Sequence, residues 1–186
     1  LIMKQPDLGT SILVAIAGCS VIFFSGISIK AVSAVCILGL LSLPVAWNFL
    51  HDYQRERILT LIDPTTDPLG KGFHTLQAQI AIGSGGISGK GWMEGTQAHL
   101  DFIPERTSDF LFAVFGEEFG FVGCVLLLAL FSVLIARSFV IAGTASTRFS
   151  RLLAASIGVI FFTYTFVNIG MVSGILPVVG VPLPFM

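Results

Sequence analysis

Residues 110–136 read FLFAVFGEEFGFVGCVLLLALFSVLIA, in which Glu117 and Glu118 are the only charged residues. An α-helix needs about 20 apolar residues to cross the hydrocarbon core of a bilayer. Three further apolar runs of similar length lie at residues 11–27, 31–50 and 152–172. The sequence therefore predicts an all-α integral membrane protein, a polytopic helical bundle with about four spans in this chain.

The composition agrees with a membrane location. Apolar residues make up 54% of the chain and charged residues 11%, about half of the charged share of a soluble domain. Buried helices of a large soluble protein are the alternative, which four runs of this length disfavour. The net charge of −1 provides no basic face, so we expect no nucleic-acid partner.

The apolar runs divide the chain into four parts. Two transmembrane helices with a preceding Gln-Pro-Asp motif are followed by a large polar loop, two more transmembrane helices and the start of a second loop. The bounds of these parts are 1–50, 51–109, 110–172 and 173–186. Because proline and glycine prevent a regular helix in the last part, we expect a re-entrant or interfacial loop packed against protein.

The basic residues predict the orientation. Lys30 lies between the first two runs, and Arg137, Arg148 and Arg151 lie between the last two. Because short cytoplasmic loops are enriched in Lys and Arg, both connections should be cytoplasmic. The loop 51–109, which holds eight of the eleven acidic residues, then lies on the outer, periplasmic side of a bacterial inner membrane.

A glycine-rich stretch, GSGGISGKGW, occupies residues 83–92 of that loop. It is one residue short of a P-loop, and Lys90 is followed by Gly91 rather than by Ser or Thr. We interpret it as a flexible, hinged loop with Trp92 anchored among the headgroups. The alternative is that Lys90 and exposed backbone N–H groups meet a diphosphate.

Asp101, Glu105 and Asp109 recur every four residues, a spacing that places them on one helix face unless Pro104 interrupts the helix. Asp109 directly precedes an apolar run, where partial desolvation raises a carboxylate pKa toward the range of a general base. A helix N-cap is a compatible interpretation of Asp109. With His99, these carboxylates also permit a metal-site interpretation.

Two further charged features leave alternatives open. Arg106, one turn before Asp109, can pair with Asp109 or bind an anionic group. Glu117 and Glu118 lie at membrane depth, where carboxylates usually face the protein interior or a water-filled cavity. The sequence supports a structural and a functional interpretation of these two glutamates equally, and it identifies no basic partner for them.

Five segments together resemble the SEDS family, to which the RodA and FtsW proteins belong, and the resemblance is strongest to its elongation-type branch. The segments are QPDLGTS at 5–11, GSGG and GKGW within 83–92, PE and DF within 104–110, EEFG at 117–120, and the stretch 168–184. The resemblance implies a peptidoglycan glycosyltransferase that polymerises Lipid II for cell-wall elongation and cell shape, releasing undecaprenyl diphosphate. It also implies a class B penicillin-binding protein, a transpeptidase, and elongation-complex membrane proteins as partners in the bilayer.

The family's essential acidic residue falls on Asp109, which the resemblance makes the catalytic base of an inverting transfer. Candidate substrate-binding residues are Lys90 and Arg106, which would stabilise the diphosphate, and Asp101, Glu105, Gln54 and Asp7. No metal ligand set is readable, so a divalent cation, Mg²⁺ or Mn²⁺, on the diphosphate is an open alternative.

The chain departs from the family in two respects. Thr107-Ser108 stands where some relatives have His-Thr, and the chain resembles only the second half of a roughly ten-span protein, so we expect a fragment that is inactive alone.

The alternatives to the enzyme are a Lipid II flippase, with a polar path along Glu117, Glu118 and Asn168, and a non-catalytic scaffold that activates a penicillin-binding protein. The large external loop with its carboxylates favours the enzyme.

The orientation can be tested by cysteine labelling in a cysteine-free background. Lys30→Cys and Arg148→Cys should be protected from a membrane-impermeant thiol reagent in intact spheroplasts, whereas Asp101→Cys should be labelled. The reverse labelling pattern would contradict the orientation.

Overall fold

The computed structural model describes residues 8–49, 55, 59, 71–96 and 109–185, and within them it contains helices and no strand. We number the helices in chain order. They are α1 (Leu8–Phe24), α2 (Ile29–Phe49), α3 (Lys71–Ser84), α4 (Leu111–Thr144) and α5 (Arg148–Val172).

The membrane-protein class is confirmed. Among the described residues, α4 and α5 are long and apolar enough to cross a bilayer. The helices α1 and α2 coincide with the first two predicted runs, and the count of about four spans stays a prediction.

Helix α4 is longer than the sequence predicts. The apolar run ends at Ala136, but the helix continues to Thr144, so Arg137 lies inside α4. Arg148 and Arg151 lie in the first turn of α5 and not in the connection. Residues 139–142 are apolar and extend the helical surface, and the long arginine stem can reach the headgroups from such a position. Thr147 then begins α5, because its side chain accepts a hydrogen bond from the Ser150 amide.

The core lies where α3 packs against α4 and α5. Small residues of α3, Ala78 and Ala81, are completely buried there, together with Phe112 and Ala113 of α4 and Met171 of α5. Residues 71–84 of the large loop thus form a helix that packs against the two membrane-length helices. Large apolar side chains of α4 are exposed in the part of the helix after Gly120, as expected of a surface that faces lipid.

A break in α4 at Gly120 is the main irregularity of the fold. Gly120 has φ 66° and ψ −164°, far from helical values. In an unbroken helix the carbonyls of Glu117 and Glu118 would accept from the amides of Phe121 and Val122. The break separates these partners, and unpaired backbone groups at membrane depth cost several kcal/mol each.

The glycine-rich loop, residues 85–91, satisfies all four groups at the break. Its carbonyls accept from the amides after Gly120, and its amides donate to the carbonyls before Gly120. The four bonds are Phe121 N–H to Gly86 O (2.9 Å), Val122 N–H to Ile87 O (3.1 Å), Lys90 N–H to Glu117 O (3.0 Å) and Gly91 N–H to Glu118 O (3.1 Å).

The expectation of a flexible, hinged loop is therefore wrong. The glycines permit close approach to α4 instead of free movement. A Cβ at Gly89, which has φ +80°, would overlap the carbonyl of Glu118, and a Cβ at Gly85 would overlap the carbonyl of Gly116. Sequence alone shows the glycines but not the backbone that they contact.

Two glycines of α4 provide a matched test of the break. Gly120→Ala should destabilise the protein by about 1–3 kcal/mol or more, because its backbone conformation is nearly exclusive to glycine and its Cβ would meet the Gly89 amide. Gly143→Ala should be neutral or stabilising by up to about 1 kcal/mol, since a Cβ there meets no described atom within 4 Å. Thermal unfolding of the intact protein in detergent measures both, and equal effects would contradict the role of the break.

Candidate functional site

Asp109 lies where the chain enters α4. The next residue, Phe110, is 1% exposed and belongs to the core, so it anchors the entry of the helix. Phe110 also occupies the N-cap position, and no described side chain caps the helix there. The interpretation of Asp109 as an N-cap is therefore wrong. Its side chain is half-buried at the end of a membrane-length helix.

Asn168 links Asp109 to the last part of the chain. This α5 residue is completely buried. Its Nδ2 donates one hydrogen bond to the backbone carbonyl of Asp109 (2.8 Å) and another to that of Val181 (2.7 Å). Because both acceptors are carbonyls, the orientation of the carboxamide is unambiguous.

The segment after α5, residues 173–185, forms an irregular structure packed against the helices. It turns back on Gly170, whose carbonyl accepts from the amides of Ile175 (2.8 Å) and Leu176 (3.0 Å). Val181 and Leu183 are buried. The predicted loop packed against protein is thus confirmed.

Within this segment, Gly180 approaches the Asp109 carboxylate. Gly180 has φ +77°, and a Cβ added there would lie 3.2 Å from Oδ2 of Asp109. The carboxylate consequently lies against the Gly180 backbone. The end of α4, Asn168 and the segment around Gly180 together define the candidate site.

A second polar cluster surrounds Glu117, inside α4. Its Oε1 accepts from Lys90 Nζ (2.6 Å), the Thr96 amide (2.9 Å) and the Thr96 hydroxyl (3.0 Å), and Ser84 Oγ lies 3.4 Å away. Lys90 Nζ also donates to Thr96 Oγ1 (2.9 Å). Glu117 is completely buried, whereas the side chain of Lys90 is 28% exposed.

This cluster identifies the partner that the sequence did not. Lys90 and Glu117 are 27 residues apart, and no pattern in the sequence relates them. The ion pair allows a carboxylate at membrane depth, which would otherwise be too costly. It favours the structural interpretation of Glu117.

The structure also tests part of the diphosphate interpretation of the glycine-rich loop. The amides of Lys90 and Gly91 donate to α4 carbonyls, so these N–H groups do not form an anion cradle. A role of the Lys90 side chain on a diphosphate stays a prediction. Glu117 follows Asp109 by eight residues, about 12 Å of helix rise, so Lys90 and Asp109 belong to separate clusters.

The other predicted site residues lie outside the described residues. They are Asp7, Gln54, Asp101, Glu105 and Arg106. Among the residues that the structure does describe, no three His, Cys, Asp or Glu side chains are grouped as metal ligands. Because His99 and Asp101 are outside that set, the metal-site interpretation and the Mg²⁺ or Mn²⁺ alternative stay untested.

Comparisons with known proteins agree with the geometry. A protein-family profile for FtsW, RodA and SpoVE, described as "Cell cycle protein", matches residues 1–186. "Peptidoglycan glycosyltransferase MrdB" of Escherichia coli (strain K12) is 56% identical over 185 residues, 99% of this chain and 50% of that protein. "Probable peptidoglycan glycosyltransferase FtsW" of Geobacter sulfurreducens (strain DL-1 / KN400) is 34% identical over 187 residues, 100% of this chain and 49% of that protein.

A solved structure is also similar to this chain. It is described as "Structural coordination of polymerization and crosslinking by a peptidoglycan synthase complex", and it matches with a TM-score of 0.76 and 34% identity over 98% of this chain and 50% of that chain. The chain belongs to the FtsW/RodA/SpoVE family, the SEDS proteins, which confirms the resemblance of its motifs. It spans about half the length of the curated relatives that it matches.

Adjacent glutamates of α4 test the structural role of the ion pair. Glu117→Ala should destabilise the protein by about 3–5 kcal/mol, because it leaves the Lys90 ammonium without its buried counter-charge. Glu118→Ala, at a half-buried neighbouring position, should cost less. Chemical or thermal unfolding in detergent compares the two. The double variant Lys90→Met/Glu117→Leu should recover much of the loss, and a double variant as unstable as Glu117→Ala would contradict this account.

Proposed function

We propose that this chain carries the catalytic base of a peptidoglycan glycosyltransferase that polymerises Lipid II, and that Asp109 is this base. The observation that carries the proposal is the half-buried Asp109 carboxylate at the end of a membrane-length helix, beside the backbone of Gly180. The glycosyltransferase names of relatives from Escherichia coli and Geobacter sulfurreducens support it.

The position of Asp109 suits a substrate that is held in the membrane by a lipid. A lipid-linked sugar lies at headgroup level, so a carboxylate at the end of a span can meet a sugar hydroxyl there. A carboxylate enclosed by the protein, such as the completely buried Glu117, cannot reach it. Positioning of this kind contributes to catalysis, because the reacting atoms are brought together without a further loss of translational and rotational entropy.

The proposed step is a single displacement. Asp109 takes the proton of the 4-hydroxyl of the incoming Lipid II sugar as that oxygen attacks the anomeric carbon of the growing strand. The bond between the anomeric carbon and the diphosphate oxygen breaks, and undecaprenyl diphosphate leaves with the electron pair. Attack from the face opposite the leaving group inverts the anomeric configuration.

The leaving diphosphate gains negative charge, which a nearby cation would stabilise. Of the two candidates, Arg106 suits this role better, because the Lys90 ammonium already contacts Glu117 and Thr96. Asp101, Glu105, Gln54 and Asp7 complete the proposed substrate site on the basis of the family resemblance. A divalent cation remains an alternative source of positive charge.

The proposal places the site on the periplasmic side of the bacterial inner membrane, beside a class B penicillin-binding protein that crosslinks the new strands. The similar solved structure concerns polymerization and crosslinking by a peptidoglycan synthase complex, which supports this assignment.

The flippase alternative is not favoured, because Glu117 and Asn168 are buried and bonded within the protein.

Asp109→Asn in the intact protein should lower glycan polymerisation by about 10²–10⁴-fold, the usual cost of losing a general base. The assay supplies Lipid II in detergent with the penicillin-binding partner present, so that no bilayer has to be crossed. Glu94→Gln is the matched control, because Glu94 is an exposed carboxylate of the same large loop, residues 51–109. This substitution should leave the rate unchanged.

Three outcomes would contradict the proposal. Near-normal polymer from Asp109→Asn would remove the base assignment. Absence of polymer from the wild type, with Lipid II translocation in proteoliposomes lost in Glu117→Gln, would indicate a flippase. Polymer that depends only on the partner would indicate a scaffold.

A further inference from the structure

Asn168 contacts the backbone on both sides of the Asp109 carboxylate. It is 59 residues from Asp109 in sequence, and its amide reaches the carbonyl of Asp109 at 2.8 Å. The same nitrogen reaches the carbonyl of Val181 at 2.7 Å, and Val181 directly follows Gly180. One buried carboxamide therefore fixes the distance between the backbone of Asp109 and the backbone of Val181, which adjoins Gly180.

Gly180 completes this arrangement. Its positive φ and the 3.2 Å separation between an added Cβ and Asp109 Oδ2 leave little room for a side chain. A methyl group at this position would displace either the carboxylate or the segment. Gly180 thus limits the movement of the Asp109 carboxylate on one side. Asn168 holds the backbone of Asp109 and the backbone of Val181.

Stability alone does not explain an asparagine at this position. Its two donated hydrogen bonds are favourable, but Oδ1 is buried and has no hydrogen-bond partner among the residues that the structure describes. A buried polar atom without a partner is destabilising, which offsets part of the gain from the two donated hydrogen bonds. The geometry that it imposes on Asp109 is the larger consequence.

We propose that Asn168 is a positioning residue for the catalytic base. By joining the carbonyls of Asp109 and Val181, it holds the carboxylate at the one position from which it meets the incoming hydroxyl. The inference rests on the proposed function, since it needs Asp109 to be the base. A displacement of about 1 Å in such a site can lower a rate by about 10²-fold.

The test compares two variants that each remove a tether of the segment 173–185. Asn168→Leu removes both hydrogen bonds to backbone next to the carboxylate. Gln79→Leu removes the bond from Gln79 Nε2 to the Ser173 carbonyl (3.0 Å), at the other end of the segment. In the detergent polymerisation assay, Asn168→Leu should lower kcat by about 10–10²-fold with an unchanged KM for Lipid II, and Gln79→Leu should leave kcat unchanged.

A second substitution keeps the test decisive if Asn168→Leu does not give a cooperative thermal unfolding transition. Gly180→Ala keeps the Asn168 side chain but places a methyl group against the Asp109 carboxylate, and it should also lower kcat with little change in KM. The double variant should lose less than the product of the two single losses, because both act on the same carboxylate.

The inference is overturned if folded Asn168→Leu keeps its kcat, if Gln79→Leu loses as much, or if KM rises instead. It is equally overturned if Gly180→Ala has a normal kcat. Asp109→Asn in the same assay separates the two proposals. An inactive Asp109→Asn with a normal Asn168→Leu removes only the positioning role, whereas an active Asp109→Asn removes the base itself.

Discussion

The exchange of backbone hydrogen bonds between the glycine-rich loop and the break in α4 is the constraint on which the rest of the described structure depends. At membrane depth no water is present to satisfy the amides and carbonyls that Gly120 separates. The loop provides these partners, and in doing so it joins the end of α3 to α4. Its glycines are needed because the two backbones are in direct contact.

This contact also accounts for the buried carboxylate. Docking of the loop on α4 brings Lys90 and Thr96 to Glu117, so the ion pair and the backbone bonds support each other. An ion pair of this kind adds little stability by itself, but removal of one partner leaves a buried charge. Glu117 and Lys90 therefore act mainly as a structural pair that keeps the loop in one register on α4.

Asp109 has a different environment although it precedes the same helix. Glu117 is enclosed by donors from its own protein, whereas Asp109 is half-buried at the end of the helix against Gly180. Glu117 therefore has a structural environment, and the proposed chemical role belongs to Asp109 at the end of the helix. The docked loop would support that proposed role, because α4 must be held firmly for its end to position a reacting group.

The sequence by itself determined the membrane class, the approximate positions of the four long apolar helices, the family and the candidate base. Each of these depends on the length of apolar runs or on local motifs, which a linear pattern records. Tertiary structure alone decided the partner of Glu117, the docking of the glycine-rich loop and the link from Asn168 to Asp109. It also showed that Asp109 is not the N-cap and that α4 extends past Arg137. These features depend on contacts between residues far apart in the chain, or on backbone conformation at single positions, and neither is visible in periodicity or composition.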